Sequence, residues 1–392
     1  MPMFIASLLV TLAVQIQASL VVFTPPILAP VAQGDVGVSA ASVWLIIALI
    51  DLSSVPSALL SGLLISRLGA IRVSQLCVLC ASFGVVLMST GDVFIIVLGA
   101  LVVGLGYGAV TPSSSTVLAD QAPTNMRSLI FSIKQTGVPI GGAIAGALVP
   151  YLMYSFGWKE AAIIVGLIGV AVIFFAQFIQ KKVDRISLNA PTEMQSLSLL
   201  EPLRLVFSNG KLRELAISSF VFSGMQMSLG SYLVVMLTER AQLTVSVAGS
   251  ALSIAMIAGA IARLFWGVLA DYGFSPRSVL GFLGLLMGIS AAAMCLVHPT
   301  FSVMLIYIFS FFFGASAVGW NGVYIAEVAR IASPGRAGAA TGASLAMTYS
   351  GVVLLPTLFW LIHVLTESYT LGFLVLGTFA VWRGLLFYKK SE

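Results

Sequence analysis

Lys134 and Arg263 stand inside long apolar runs of a chain that carries almost no other charge in such runs. An ionisable side chain at lipid depth costs about 2.5–3.5 kcal/mol on insertion scales and ordinarily faces a cavity or a partner. Lys134 lies roughly 9 Å into a run that opens near Ser128, and Arg263 lies roughly 10 Å from the end of its own run near Ala270, at 1.5 Å per residue. Two cations therefore share one depth on two different helices. A guanidinium offers a two-pronged fork to a carboxylate and an ammonium adds a point charge, so the pair suits a small anion. The alternative is that one of them reaches to the headgroups or pairs with a carbonyl.

Asp51 is the one acid near the centre of a run. A carboxyl there can exchange a coupling proton. It could equally make a polar contact to hydroxyls such as Thr341, Ser344 or Thr348. Gln15, Gln135, Tyr232, Asn321 and Tyr324 are polar or amphipathic groups in runs. Further charges, Arg67, Arg72, Asp120, Asp271, Arg277 and Glu327, stand at the ends of runs. Cys77 and Cys80 form a C-x-x-C with no second pair or His nearby, so no metal site is expected, and no cofactor either. Gly104, Gly106 and Gly108 follow no strand, which makes helix packing the better reading than a nucleotide loop. Neither H-E-x-x-H nor G-x-S-x-G occurs, against the common hydrolytic designs. The chain is not expected to be an enzyme.

The elements that position these residues follow from composition. The 392 residues are 59% hydrophobic and 8% charged, whereas soluble domains carry about 25% charged residues. Lipid must be the solvent for most of the chain. Twelve spans of about 22 residues would use about 264 and leave about 128 for loops and tails, which excludes a large extramembrane or nucleic-acid-binding domain. Spans are expected near 4–30, 40–65, 73–90, 93–117, 128–153 and 158–180, and again near 212–237, 245–270, 278–297, 300–328, 337–362 and 368–388. The N-terminus MPMFIASLL lacks the basic opening of a cleaved signal, so it reads as an uncleaved first span. A six-span half over 1–180, a charged cytoplasmic loop over 181–211 and a second six-span half over 212–392 result. The loop holds a possible amphipathic turn in SLLEPLRLVF. With both termini inside, fifteen of the nineteen Lys plus Arg fall on the cytoplasmic side, Lys389 and Lys390 among them, and only Lys159 and Arg240 fall outside. That asymmetry fixes the expected orientation.

The halves repeat. GLLISRLGAIR from Gly62 to Arg72 and GVLADYGFSPR from Gly267 to Arg277 share their spacing at an offset of 205 residues, and Ala119-Asp120 and Ala326-Glu327 lie at nearly that offset. Twelve spans, a charged central loop and this repeated loop resemble the major facilitator superfamily of secondary transporters over the whole chain. The first copy has Ser66 where that family has an acid, and the second has Tyr272 where it has a basic residue. Asp120 could supply the missing carboxylate to Arg67 or Arg72. The resemblance implies that spans 5 and 8 face each other beside a central cavity, that Gln15, Gln135, Tyr232, Asn321 and Tyr324 orient a ligand there, and that Arg67, Arg72, Asp120, Asp271, Arg277 and Glu327 form a cytoplasmic gate. Spans 3, 6, 9 and 12 hold no charge near their centres and are expected to face lipid. Ala262-Arg263-Leu264-Phe265-Trp266-Gly267 resembles span 8 of the monocarboxylate transporters and oxalate-formate exchangers, where an Arg binds carboxylate, although Gly259 replaces the Asp of the monocarboxylate pattern. KQTGVPIGGAIAG, Lys134 to Gly146, resembles the span 5 signature of antiporters, with plain helix packing as the other reading.

The implied function is secondary transport of a small mono- or dicarboxylate by alternating access, coupled to protons or to exchange of a counter-anion. The setting is a bacterial cytoplasmic (inner) membrane and the partner lipid alone, with a monomeric chain. Efflux of apolar or drug-like compounds and non-transporting sensing are the competing readings. Cation efflux would call for acids in the spans, where cations outnumber acids two to one.

Overall fold

Backbone N–H and C=O groups in lipid have no water to bond, so a spanning segment must satisfy its own, and a helix does so within one segment. The computed structural model describes residues 3–38, 43–188, 200–333 and 335–388. Its α-helices are α1 (Met3–Val36), α2 (Val43–Leu68), α3 (Ala70–Met88), α4 (Val93–Gly108), α5 (Val110–Gln121), α6 (Arg127–Gln135), α7 (Gly137–Phe156), α8 (Trp158–Leu188) and α9 (Leu200–Ser208). The chain continues as α10 (Gly210–Arg240), α11 (Val245–Tyr272), α12 (Pro276–Cys295), α13 (Val303–Ala317), α14 (Asn321–Ile331), α15 (Ala337–Thr366) and α16 (Tyr369–Leu386). Among the described residues, twelve helical segments are long and apolar enough to cross a membrane.

Several boundaries differ from the hydropathy pattern, α1 running on to Val36 past its expected end at 30. α8 runs eight residues past the expected end at 180, and the turn expected in SLLEPLRLVF is the helix α9, with Pro202 and Val206 buried. Lys389, Lys390 and Glu193 lie outside the described residues.

Three spans are each built from two helices: α4 and α5, α6 and α7, α13 and α14. Proline explains two of the breaks, because its ring displaces the carbonyl four residues earlier and its nitrogen carries no hydrogen. α4 ends at Gly108, four residues before Pro112, and α6 ends at Gln135, four residues before Pro139. The third break, over Val318, Gly319 and Trp320, holds a glycine instead.

The chain divides into two compact units. Unit 1 comprises Met1–Ala122, Lys134–Leu212 and Val328–Ala346; unit 2 comprises Pro123–Ile133, Arg213–Glu327 and Met347–Glu392. In unit 1, α1 lies on α7 and α8, and α4 and α8 flank α3. Val21, Val85, Val103, Val149 and Val165 interlock in its core. In unit 2, α11 packs on α13, and α12 on α13 and α16. Arg383 on α16 is buried and donates to the Ser218 hydroxyl (3.1 Å) and the Glu214 carbonyl (2.9 Å) of α10.

Packing in lipid gains little from apolar burial and depends on close approach of backbones over small residues. At Gly314 on α13 a β-carbon would fall on the carbonyl of Ala255 on α11, so no larger residue fits unless the helices part. Overpacking of this kind costs about 1–3 kcal/mol. Gly314→Val is therefore expected to lower the melting temperature of the purified protein by several degrees. Gly146→Ala, at a helical position with open space where its β-carbon would stand, is expected to leave it unchanged or slightly raised. Equal melting temperatures for both variants would contradict the close approach.

Candidate functional site

In unit 1 the termination of α6 by Pro139 leaves Lys134 in the last turn of a short helix. The C-terminal end of a helix carries a partial negative charge, which favours a cation there. Lys134 is 1% exposed. Its ammonium donates to Gln15 Oε1 (2.6 Å), Thr111 Oγ1 (3.1 Å) and Gln135 Oε1 (3.3 Å). Thr111 stands in the first turn of α5, just past the break that Pro112 causes, and its hydroxyl also donates to Gln15 Oε1 (3.2 Å). Gln15 Nε2 donates to Ser19 Oγ (3.3 Å), so the whole amide is held in one orientation. The three acceptors are neutral oxygens, and among the described residues Lys134 forms no ion pair.

The segment KQTGVPIGG does two jobs here. Pro139 ends α6, and Gly137 lets α7 lie against α1. A β-carbon at Gly137 would stand 2.9 Å from Gln15 Cβ and Cγ, so a side chain there would push away the residue that holds Lys134.

In unit 2, Arg263 on α11 is 3% exposed and donates through Nε to the Val318 carbonyl (3.0 Å). Trp266, three residues on, donates through Nε1 to the Ala315 carbonyl (2.9 Å). Both acceptors belong to the end of α13, where the last carbonyls of a helix have no partner within it. Past the break, Trp320 Nε1 and Asn321 Nδ2 both donate to Gln226 Oε1, each at 3.2 Å. Phe222 meets the Trp320 ring edge-on (5.7 Å) and Tyr324 tilts against it (5.1 Å). Trp320 and Tyr324 are buried, whereas Gln226 and Asn321 are half-buried and can meet a ligand. Tyr232 is not part of this group: it stacks on Phe359 (4.2 Å) and donates to the Pro356 carbonyl (3.1 Å).

A sequence model described as Major Facilitator Superfamily matches residues 3–356. The chain belongs to that superfamily. The hexuronate transporter of Bacillus subtilis is 27% identical over 185 residues, 46% of this chain and 43% of that protein. The benzoate transport protein of Acinetobacter baylyi is 23% identical over 293 residues, 65% of this chain and 60% of that protein. These matches thus span less than two thirds of either relative. The solved structure of the E. coli fucose:proton symporter superposes with a TM-score of 0.77 at 14% identity, covering 99% of each chain, a likeness of fold.

Among this facilitator's charged loop residues, Asp271 at the end of α11 accepts the backbone N–H groups of Ser128 (2.9 Å) and Leu129 (2.7 Å), which open α6. Arg277, six residues on, pairs with Glu214 and lies over the Phe387 ring. Arg72 is engaged by Gln75 (3.0 Å) and Gln177 (3.5 Å) rather than by Asp120. Arg67 and Asp120 are exposed and Glu327 is fully buried. Asp51 on α2 is half-buried and, among the described residues, forms no hydrogen bond, so the alternative contact to Thr341 or Ser344 is not made. Asp184, which reads in the sequence as one charge of the central loop, is buried on α8 and accepts the N–H groups of Ile71 (2.8 Å) and Arg72 (3.2 Å) at the start of α3. Gln180, one turn earlier on α8, steadies it at 2.9 Å. That Gln180/Asp184 pairing at i, i+4 just past the span end is the signal that could have marked it.

Losing a side-chain cap costs about 0.5–2 kcal/mol, or about 2- to 30-fold in local opening. Hydrogen exchange should report it directly. Asp271→Ala is expected to speed exchange at the Ser128 and Leu129 amides by that factor while leaving Ile71 and Arg72, capped by Asp184, unchanged. Unchanged protection at Ser128 and Leu129 would remove the capping role.

Proposed function

We propose that this facilitator is a secondary transporter of a small organic anion bearing one or two carboxylates, working by alternating access. The observation that carries the reading is the Lys134 ammonium, buried among neutral oxygens with no carboxylate partner among the described residues. Neutral oxygens solvate a cation without cancelling its charge, so an arriving carboxylate supplies what the site lacks. The hexuronate and benzoate transporters are named for carboxylates and support that substrate class.

In this reading Arg263 makes the orienting contact in unit 2 and Lys134 supplies the charge in unit 1. Gln135 and Asn321 meet the polar edge of the substrate, while Gln15, Tyr324 and Tyr232 hold the surrounding groups in place. Asp271 and the charged residues Arg67, Arg72, Asp120, Arg277 and Glu327 serve the cytoplasmic gate. Both termini lie on the cytoplasmic side of a bacterial inner membrane, and the chain acts as a monomer.

Moving a monoanion inward against a negative-inside potential costs about 2.3 kcal/mol per 100 mV, which a co-transported proton cancels. Asp51, with its carboxyl uncommitted, carries that proton.

Counterflow in proteoliposomes with labelled 4-hydroxybenzoate, hexuronate and short dicarboxylates identifies the substrate and supplies the assay. Arg263→Lys keeps the charge and loses the fork, and is expected to raise the KM of the transported anion at least about tenfold, a loss of about 1.4 kcal/mol. Lys134→Arg is expected to do less. If Arg263→Ala moves every such anion with wild-type apparent affinity, Arg263 belongs to the packing of unit 2 and not to the substrate site.

Asp51→Asn is expected to abolish acid-stimulated uptake while sparing exchange of substrate for substrate. Loss of both activities together would give Asp51 a structural role instead.

A further inference from the structure

Unit 1 holds a cavity of about 280 Å³ away from Lys134, at the opposite end of α1 from Met3. Leu28, Ala32, Leu49, Met88, Ile96 and Trp158 wall it, drawn from α1, α2, α3, α4 and α8. Its polar wall groups have their donors committed: Thr24 Oγ1 to the Leu20 carbonyl (2.7 Å), Gln33 Nε2 to the Pro30 carbonyl (3.0 Å) and Trp158 Nε1 to Asp35 Oδ2 (2.8 Å). A buried water needs two to four polar partners, which this wall does not offer. An empty cavity is also unfavourable, because its lining forfeits contacts in proportion to its volume. A cavity of about 150 Å³ with such a lining already takes up benzene. The occupant is therefore apolar.

The mouth says which apolar molecule. Leu45, Val93 and Val97 on the wall are each more than a third exposed, as is Val38 just past α1, so the cavity opens at the ends of the spans, where headgroups meet acyl chains. Beside the mouth Lys159 rests 5.6 Å from the Trp158 ring and, among the described residues, forms no ion pair. Tryptophan and lysine together mark headgroup level. We infer that the cavity binds one phospholipid, with an acyl chain between α1, α2 and α4 and its phosphate at Lys159.

The inference does not depend on the anion reading, and its test does not use transport. Full-length protein, delipidated in detergent, is titrated with palmitoyl-oleoyl phosphatidylglycerol and followed by native mass spectrometry. One lipid is expected to stay bound under activation that strips the rest. Ala32→Phe, which fills the cavity, should lose that lipid. Lys159→Gln should weaken it at least fivefold, and dihexanoyl phosphatidylglycerol, with the same headgroup and short chains, should fail to compete. Retention by Ala32→Phe, or equal competition by the short-chain lipid, overturns the site. Palmitate that binds as tightly as the phospholipid overturns the phosphate contact at Lys159. Should Ala32→Phe not fold, a variant that keeps Trp158 alone of the six tryptophans gives a second readout. Lipid brominated in mid-chain should quench its fluorescence at least twofold, and absence of quenching contradicts the proposal.

Discussion

A helix that stops inside the membrane leaves carbonyls with nothing to bond, and most of the functional architecture here answers that constraint. Pro112 and Pro139 stop α4 and α6, and the turn at Gly319 separates α13 from α14. Each freed end must find a donor within the protein, since lipid provides none. Arg263 and Trp266 supply donors to the end of α13. Lys134 sits in the last turn of α6, where the helix dipole favours it. The buried cations thus have a structural occupation before any ligand arrives. For Lys134 that occupation leaves the charge uncancelled, because amide and hydroxyl oxygens stabilise a cation without neutralising it. Positive charge is held at depth by groups that the fold needs anyway, and in the proposed function an anionic substrate completes it.

A second use of helix ends recurs at the charged loops. Asp271 caps α6 and Asp184 caps α3, each by accepting two consecutive backbone N–H groups. The first copy of the repeated loop has Ser66 at its acid position, and the helix that follows is capped from α8 instead. A carboxylate at a helix start gains from both the orphan donors and the positive end of the dipole. Both acids accept from the backbone at the start of a helix.

Hydropathy made the spans legible in the sequence, since it depends on residue type over a fixed length, whereas the breaks at Pro112 and Pro139 fall unmarked inside spans expected to be continuous. Lys134 and Arg263 stood out for the same reason: charge in an apolar run is conspicuous. What the sequence could not show were the partners. The groups that accept from Arg263 and donate to Asp271 are backbone carbonyls and amides, which every residue carries, so no side-chain type points to them. Arg277 stood out in the sequence as a charge at the start of a run, but its pairing with Glu214 depends on how α10 and α12 begin beside one another. Tyr232 read as a cavity residue from its polarity, and its stacking on Phe359 spends that ring on packing. Arg383 read as one more cytoplasmic charge, and its burial against Ser218 and Glu214 follows from packing of α16 that periodicity does not specify.

The account stands on recognition of negative charge by buried cations, and equilibrium binding of a carboxylate against its uncharged amide tests that most directly. Purified protein is titrated with the carboxylate found by counterflow and with the matching carboxamide, which has the same shape and no charge. Wild type should bind the carboxylate at least about tenfold more tightly, about 1.4 kcal/mol, and Lys134→Met should erase most of that preference while retaining affinity for the amide. Equal affinity of wild type for the two ligands, or a preference untouched in both Lys134→Met and Arg263→Met, would contradict the account.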